Sequence, residues 1–436
     1  MYKITKEVPT AGSYDLVVVG GGASGIITAV TVAREGCRTA LIEKFGFFGG
    51  TAAGGYVLPI SGFYLNGHQT VGGIPFEFVK RMEMLGGAEF EYPKGNVSFS
   101  PEIYKLTAQE MLAEAGVEVY TNSYLSDAVV CDNRIQAVII ENKNGAEAIE
   151  ASVFADATGD GDLAFLSGVE MLSKSGEGLQ PMSLCFLLGG VNTETPLLRD
   201  CIRHDGKTGA SVNETVHKML EQAMPEGGYT QFGGPWFNVT MCGDVLAVNV
   251  TRTGADGCSA RELSKAEFVL RKDMFAIVEL LRKKYTEFAD CYIISSAPMV
   301  GIRETRHIKG AYTMTGDDLL NSRVFSDSVA LCAHPVDIHS TAGGSQICRR
   351  LEKPAAVPYR IMFSPNVKNL LCPSRCASAE RMAFASLRVQ ATLMALGQAA
   401  GAAAALSKSD GDVTAVDTDK LIERLKKLGA ITEYDA

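Results

Sequence analysis

The sequence predicts an α/β fold in which a doubly wound parallel sheet carries an added β-meander and an α+β domain is inserted into the chain. Three observations predict it. An apolar strand runs into a glycine-rich turn and a helix within residues 15–34. A strand, a hairpin and another strand follow up to residue 162, an order typical of open nucleotide-binding sheets. After residue 165, alternating strands and one long helix favour a separate, largely antiparallel unit.

The first strand and its turn give the strongest signal. Residues 15–19 form the strand, and Gly20, Gly22 and Gly25 follow at Gly-x-Gly-x-x-Gly spacing. Gly20 permits a tight turn, Gly22 lets a phosphate approach the backbone, and Gly25 lets the helix pack closely on the strand. The helix N-terminus favours a pyrophosphate. The unit therefore predicts a Rossmann-like site for a dinucleotide, and the alternative is a purely structural glycine turn.

An acid ends the second strand at the distance that such a site requires. Glu43 lies 23 positions after Gly20, near the spacing of about 20 residues for a ribose-binding acid. A carboxylate there favours an unphosphorylated ribose, because it repels a 2′-phosphate. Residues 45–55 are too glycine-rich for regular structure, and we expect a loop that passes close to the cofactor.

Apolar patterns and turn signals predict the remaining elements. For the first domain these are a helix over 101–115, strands over 117–120, 128–131, 135–141, 151–156 and 367–372, and one long alanine-rich helix over 383–406. For the inserted domain they are strands over 233–240, 246–251 and 292–297 and a helix over 263–285. The predicted division of the chain is a discontinuous nucleotide-binding domain, 1–165 and 355–436, and a substrate domain, 166–354. We expect the small residues of the alanine-rich helix to allow close packing on the first helix.

The composition argues against several classes of protein. The chain has 436 residues, a net charge of −9 and no basic run, which argues against nucleic acid and anionic membranes as partners. No stretch reaches about 18 uninterrupted apolar residues, and the first residues lack the apolar core of a signal peptide. Eleven cysteines, an odd number, are typical of reduced thiols. We therefore expect a cytoplasmic protein.

Six segments together resemble the FAD-dependent oxidoreductases with the glutathione-reductase-type FAD fold, and in particular a bacterial family with one FAD domain and an inserted substrate domain. These segments, in chain order, are 19–25, 43–51, 156–162, 301–306, 335–339 and 395–401. The likeness spans nearly the whole chain. It implies FAD rather than NAD as the bound dinucleotide.

The resemblance also implies which residues contact the cofactor. The glycine turn would hold the pyrophosphate, Glu43 the adenosine ribose, and the segment 375–382 would lie near the flavin, where a helix dipole stabilises the anionic reduced ring. The implied contacts are Gly20, Gly22, Ala23, Ser24, Gly25, Glu43, Lys44, Gly50, Thr51, Gly159, Asp160, Arg375, Cys376 and Ala383. Ser374 stands where the family commonly has glycine.

Two arginines are candidates for substrate binding beside the flavin. Arg303 and Arg306 stand on either side of Glu304. Flavin carries the hydride chemistry, so the protein must orient the substrate and manage protons. Either guanidinium could clamp a carboxylate or a developing alkoxide. The alternative is a structural network of ion pairs between the domains.

A histidine pair supplies the candidates for proton transfer. His334 and His339 stand close to Asp337, and one imidazole would serve as general base or general acid. A strand would place Asp337 and His339 on one face, since they are two residues apart. A structural role is the main alternative, and no metal is predicted. Trp236, the single tryptophan, either lines the substrate cleft or packs in the core.

Cys372 and Cys376 are candidates for thiol redox chemistry. Their Cys-x-x-x-Cys spacing departs from the usual redox motif Cys-x-x-Cys, which is absent from the chain. A catalytic dithiol near the flavin is therefore the less favoured interpretation, and packing is the favoured one.

The expected function is hydride transfer between bound flavin and a small organic substrate. Only one Gly-x-Gly-x-x-Gly unit occurs, so a second stable nucleotide domain is not expected. Electrons would pass between the flavin and a dissociable acceptor, oxygen, a partner protein or transiently bound nicotinamide. An NAD-dependent dehydrogenase and a non-catalytic FAD-binding subunit of an electron-transfer complex stay open as alternatives, and so does a homo-oligomer.

Overall fold

The structure is a computed structural model. It describes residues 2, 5–91, 96–172, 178–198, 213–241, 243–340 and 346–434. The strands, numbered in chain order, are β1 (Thr10–Val19), β2 (Thr39–Ile42), β3 (Tyr64–Leu65), β4 (His68–Gln69), β5 (Ala88–Glu91), β6 (Asn96–Phe99), β7 (Glu118–Tyr120), β8 (Tyr124–Cys131), β9 (Arg134–Asn142), β10 (Gly145–Asp156), β11 (Phe186–Gly189), β12 (Phe232–Val239), β13 (Leu246–Thr251), β14 (Tyr292–Ser296), β15 (Ser328–Cys332), β16 (Val336–His339), β17 (Gln346–Arg349), β18 (Ala355–Pro358) and β19 (Leu370–Leu371). The helices are α1 (Ala23–Arg34), α2 (Gly50–Ala53), α3 (Gly73–Met84), α4 (Pro101–Glu114), α5 (Asp162–Leu166), α6 (Glu214–Gly227), α7 (Ala260–Lys284), α8 (Gly316–Leu320), α9 (Arg381–Leu387), α10 (Gln390–Ser407) and α11 (Thr418–Lys427).

The main sheet has the predicted parallel core and meander. Strands β7, β2, β1 and β10 lie side by side and parallel, β19 pairs with the end of β10, and β9 and β8 extend the sheet antiparallel. In register, Val19 lies opposite both Ile42 and Asp156, and Ile42 lies opposite Tyr120. The carboxyl ends of these strands therefore meet at one edge, where open α/β sheets bind ligands.

The meander turns where the sequence predicted. Asp132 and Asn133 connect β8 to β9 with φ of 50° and 60°, the left-handed conformation that a two-residue hairpin turn needs. Strand β1 is buried on both faces, with Leu16 and Val18 in the core on one side of the sheet and Val17 and Val19 in the core on the other. Such burial explains why its sequence is a continuous apolar run rather than an alternating one.

Helix α10 packs directly on α1, as its small residues predicted. A Cβ on Gly397 would overlap the carbonyl oxygen of Ser24, and a Cβ on Gly401 would lie 2.8 Å from the carbonyl oxygen of Thr28. The hydroxyl groups of Thr28 and Thr31 donate to carbonyls of their own helix, so they need no partner across the interface. The C-terminal part of the chain therefore returns to the glycine turn and fixes the helix that follows it.

The prediction of one long helix over residues 383–406 is wrong. The structure has two helices, α9 and α10, bent by 89°. Val389 between them is extended, with φ −77° and ψ 151°, and Arg388 donates to both the carbonyl and the carboxylate of Asp337. This tertiary contact holds the chain out of the helix at a point where no proline or glycine marks a break.

Helices α9 and α10 are also relevant to whether the chain contains a membrane-spanning helix. Within the described ranges no single helix is long and apolar enough to cross a membrane. The bent pair α9 and α10 reaches that length and composition only when both are taken together. Most of their residues lie in the main core.

The loop predicted over residues 45–55 contains one regular turn. Residues 50–53 form the short helix α2, which begins after Gly49. Gly49 and Gly50 have φ of 118° and 49°, a region that glycine adopts at low cost. The glycines therefore bend the chain sharply into one helical turn, and the prediction of no regular structure is wrong for those four residues.

The second sheet is antiparallel throughout, as predicted. Its order is β12-β13-β11-β14, and the buried side of α7 packs against it through Met274, Ile277, Val278 and Leu281. The residue boundaries of the two predicted domains stay predictions.

Replacing Gly397 by valine should destabilise the fold. The new side chain would meet the backbone of α1, and overpacking of this kind costs about 1–3 kcal/mol. We expect a lower thermal midpoint of unfolding. Leu406→Ala on the same helix is the matched control, because Leu406 is 41% exposed and its loss should change stability by about 0.5 kcal/mol or less. Equal midpoints for Gly397→Val and the parent protein would contradict the contact.

Candidate functional site

The glycine turn leaves open space at one position only. A Cβ on Gly20, whose φ is 103°, would lie 2.5 Å from the carbonyl oxygen of Ala157, and one on Gly25 would overlap the carbonyl oxygen of Gly20. A Cβ on Gly22 would meet nothing nearer than the Cα of Gly50, 3.9 Å away. Gly20 and Gly25 are therefore required by the fold, whereas Gly22 leaves the space that a phosphate needs in front of the α1 amides.

Glu43 lies directly beside this turn. Its Oε2 accepts from the Gly21 amide at 2.7 Å, and its Oε1 accepts from the Phe45 amide at 2.9 Å. The residue is 5% exposed. Burial raises the pKa of its carboxyl, while the two amides oppose that rise. Each carboxylate oxygen keeps a second lone pair for a ribose hydroxyl, so the geometry fits the predicted role.

The loop that carries Gly50 and Thr51 packs on the glycine turn. The Gly49 amide donates to the Gly21 carbonyl at 2.8 Å, and a Cβ on Gly50 would lie 3.0 Å from the Cα of Gly22. Two segments that were predicted to contact the cofactor therefore lie together.

The second predicted cofactor segment meets the C-terminal one. Asp160 is buried, and its Oδ1 accepts from Arg375 Nη2 at 3.0 Å and from Thr305 Oγ1 at 2.8 Å. A Cβ on Gly159 would lie 2.7 Å from Arg375 Nη2, and Cys376 packs against Gly161. Residues 159–161 and 375–376 thus form one contiguous group at the carboxyl edge of the sheet.

The remaining predicted cofactor residues differ in accessibility. Ser24 and Ala383 are buried, Ala23 is partly buried, and Lys44 is exposed with its Nζ 5.4 Å from the ring centre of Phe45. Ala383 lies inside the main core, so its side chain serves packing in this structure.

A cavity of about 830 Å³ opens at this edge of the molecule, within the range of ligand pockets. Its lining includes Leu125 and Ser126 of the meander, Asp162, Arg306 and Arg381. The neighbouring Ser123 amide donates to the Glu43 carbonyl at 3.1 Å. The cavity therefore extends from the meander to the start of α9, and the sequence analysis missed its lining residues in the meander.

Arg303 and Arg306 point to different places, although only two residues separate them in the sequence. Arg306 Nη2 binds Asp162 Oδ1 at 2.6 Å and lies over the ring of Phe165. Glu304 instead accepts from the Gln180 amide at 3.1 Å. The two arginines therefore do not share Glu304 as an ion-pair partner, and only Arg306 borders the cavity.

Arg303 belongs to a largely buried group of charged and polar side chains that we call the basic cluster. It consists of Arg252, Arg303, Arg388, Asp337 and His339. Arg252 and Arg303 both donate to Ser183 Oγ, at 2.5 and 2.7 Å. Arg388 binds Asp337 Oδ2 at 2.9 Å. The sequence analysis missed Arg252 and Arg388, because neither stands near another candidate in the chain.

Asp337 and His339 share one face of β16, as predicted. His339 Nε2 lies 3.0 Å from Asp337 Oδ2. Burial acts to raise the pKa of Asp337, but the hydrogen bond from His339 and the charge of Arg388 hold it well below its usual range. The carboxylate is therefore ionised and acts as acceptor. His339 accordingly donates Nε2–H, and its Nδ1 is the acceptor of the ring.

Burial and the charge of Arg303 lower the pKa of His339 to about 3. The imidazole is therefore neutral at neutral pH. His334 has a different hydrogen-bond partner: its Nδ1 contacts the Pro335 carbonyl at 2.7 Å, and burial lowers its pKa as well. Of the two predicted histidines, only His339 has a carboxylate that orients its ring.

Trp236 lies beside the basic cluster rather than deep in the core. The Arg252 guanidinium is 5.0 Å from its ring centre, and the His339 ring contacts it edge-on at 5.5 Å. Its indole is half-buried. Trp236 therefore lies at the boundary of the core, in contact with the basic cluster.

The cysteine pair is buried beneath the site. Ligand atoms of Asp156, Cys372 and Cys376 all lie within 4.8 Å of one another. Asp156 already accepts from Thr158 and from the Ala164 amide, as a turn residue does. All nine cysteines in the described residues are free thiols, and the burial of both Cys372 and Cys376 favours packing over exchange with a substrate.

Comparison with known proteins identifies a family for most of the chain. A family model described as FAD dependent oxidoreductase matches residues 15–425. Curated relatives include a 3-oxosteroid 1-dehydrogenase of Mycolicibacterium smegmatis, 43% identical over 53 residues, which are 12% of this chain and 9% of that protein. A thiamine thiazole synthase of Methanococcus vannielii is 26% identical over 137 residues, 29% of this chain and 46% of that protein. The matches thus span less than half of either relative.

Solved structures with a similar fold are distant in sequence. A geranylgeranyl bacteriochlorophyll reductase-like protein from Thermoplasma acidophilum has a TM-score of 0.48 and 12% identity, with 96% of this chain and 83% of that chain covered. A flavin-dependent brominase has a TM-score of 0.49 and 12% identity, with 95% and 84% covered.

Replacing Gly22 by valine should abolish FAD binding without unfolding the protein. Gly22 has φ −77° and ψ −173°, which valine adopts, and its Cβ would meet only ordinary contacts. The branched side chain would fill the space in front of the amides. The measurement is flavin absorbance per protein after purification, together with the thermal midpoint after removal of the cofactor.

The matched control is Gly243→Val, at an exposed position where a Cβ meets nothing within 4 Å. It should keep a full complement of FAD. A normal flavin content in Gly22→Val would show that the diphosphate lies elsewhere.

Proposed function

Because the chain belongs to the FAD-dependent oxidoreductase family, we propose that it transfers a hydride between bound FAD and a small organic substrate whose oxidation also releases a proton. Alcohols and amines are such substrates. The observation that carries the proposal is the pair of Asp337 and His339, in which an ionised carboxylate orients a neutral imidazole. The glycine turn and Glu43 support FAD as the cofactor.

Two hydrogen bonds connect the segment beside this pair to the loop that carries Thr51. The Val57 amide donates to the Thr51 carbonyl at 3.1 Å, and the Gln390 side chain donates to the Val57 carbonyl at 2.9 Å. Gln390 follows Arg388, which binds Asp337. These contacts join the segment that binds Asp337 to the loop that carries Thr51, which supports placing the proposed base near the cofactor.

Oxidation of a carbon that bears a hydroxyl or amino group removes a hydride from the carbon and a proton from the heteroatom. Bound FAD would supply the hydride acceptor. His339 would take the proton on Nδ1, since its Nε2–H is held by Asp337. Asp337 would stabilise the imidazolium that forms, and in the reverse direction the same imidazolium would return the proton.

An anaerobic screen of the purified flavoprotein tests the proposal. Alcohols, hydroxy acids, sugars and amines are added in turn, and bleaching of the visible flavin band is followed. Bleaching by one class supports hydride transfer. A protein that binds NAD but no FAD would refute it. It would also be refuted if no small molecule reduced the flavin and the chemically reduced flavin were reoxidised only by a partner protein.

Replacing His339 by asparagine should slow flavin bleaching by about 10²–10⁴-fold, the contribution of a general base. FAD content should stay the same, because His339 is not in the glycine turn. The measurement is the single-turnover rate of bleaching with the substrate from the screen. His68→Asn, on an exposed hairpin strand, is the matched control and should react at the parent rate. An unchanged rate in His339→Asn would leave that residue a structural role only.

A further inference from the structure

We propose that Arg252 and Arg303 bind a carboxylate of the substrate, so that the enzyme acts on a small organic acid whose reacting carbon lies next to His339. This inference rests on the proposed function, because it names the substrate class of the same site. It goes beyond it in assigning Arg252, which no sequence signal identified, as a specificity-determining residue.

The hydrogen-bond partners of Arg252 are the first observation. The residue is 2% exposed. Its Nη1 donates to Ser183 Oγ, to Asn249 Oδ1 at 2.8 Å and to the Thr251 carbonyl at 2.7 Å. All three acceptors are neutral. Within the described part of the chain, its buried Nη2 has no hydrogen-bond partner. A buried cation in this state has capacity for one more acceptor, and an anion is the acceptor that it favours.

Arg303 repeats this pattern on the other side of Ser183. Its Nη1 donates to the Pro181 carbonyl and to Ser183 Oγ, both at 2.7 Å. Among the described residues, no carboxylate lies within ion-pair distance of either Arg252 or Arg303. Two guanidinium groups therefore converge on one hydroxyl oxygen with no negative charge between them, which is the arrangement that a carboxylate with two oxygens would complete.

The nearby negative charges are already bound elsewhere. Asp337 accepts from Arg388, His339 and Gln346. Glu304, which also acts on Arg388, accepts from the Gln180 amide. Three arginines therefore face two carboxylates, and the excess of positive charge is on Arg252 and Arg303.

Further donors lie at the same place. Gln180 is buried, its Oε1 accepts from the His339 amide at 3.3 Å, and its Nε2 has no partner among the described residues. Trp236 covers Arg252 and contacts the His339 ring. A carboxylate held by the two arginines would therefore place its neighbouring carbon beside the imidazole that takes the proton.

The charge of the cluster also acts on His339. Burial, Arg303 and Arg252 all lower its pKa, to about 3, whereas a general base works best with a pKa near the operating pH. A bound carboxylate would offset the arginine charges and raise the pKa of His339. One anionic group would thus both position the substrate and make the imidazole a better base.

Trp236 provides a direct measurement, because it is the single tryptophan of the chain. The holoenzyme is titrated with lactate, glycolate, lactamide and inorganic phosphate while tryptophan fluorescence is followed, and thermal midpoints are recorded with the same compounds. We expect a saturable response to the two carboxylates and none to the neutral amide. Binding should raise the thermal midpoint in parallel.

Arg252→Gln should weaken lactate binding by about 10- to 100-fold, the loss of a hydrogen bond to a charged group. Arg303→Gln is the second variant, and it should also weaken lactate binding. It keeps the test possible if Arg252→Gln folds poorly. Arg261→Gln, at an exposed position on α7, is the matched control and should bind as the parent does. Equal responses to lactate and lactamide, or unaltered lactate binding in both cluster variants, would overturn the site. A stronger response to phosphate than to either carboxylate would overturn the substrate class.

The two proposals fail separately. If carboxylates bind through Arg252 but no organic acid bleaches the flavin, the anion site is supported and the proposed hydride transfer is refuted. If a neutral alcohol bleaches the flavin at a rate that does not depend on Arg252, the proposed hydride transfer is supported and the anion site is refuted.

Discussion

Val19, Ile42 and Asp156 lie side by side in register at the carboxyl edge of three parallel strands, and the arrangement of the cofactor site depends on this constraint. The glycine turn follows the first strand, Glu43 the second and the Gly159 turn the third. Strand β19 adds the segment with Arg375 at the same edge. Backbone pairing thus brings together groups that lie far apart in the chain, and each strand needs only to end in the right residue.

The glycine turn and the proposed anion site in the basic cluster would recognise negative charge by different means. The turn offers backbone amides and free space at Gly22, which suits a diphosphate. The basic cluster offers guanidinium groups from the end of β13, from a loop and from the junction of α9 and α10, and the proposed anion site there would distinguish one substrate from another. The division is physically reasonable because side chains change readily in evolution, whereas a tight glycine turn does not tolerate a Cβ.

Local signals predicted the features that depend on local geometry. The glycine spacing, the hairpin at Asp132 and Asn133, and the shared face of Asp337 and His339 all follow from contacts within a few residues. Predictions failed where a distant contact intervened. The helix over 383–406 breaks because Arg388 reaches Asp337.

The sequence by itself determined the first strand, the glycine turn, the helix and the acid that lies beside the turn, because all four lie within about 30 consecutive residues. It did not determine the basic cluster. Arg252 follows β13, Arg303 lies in a loop, and Arg388 separates two helices, so no spacing relates them. Only the packing of the second sheet against the β16 hairpin and α9 decided that these three charges would be buried together.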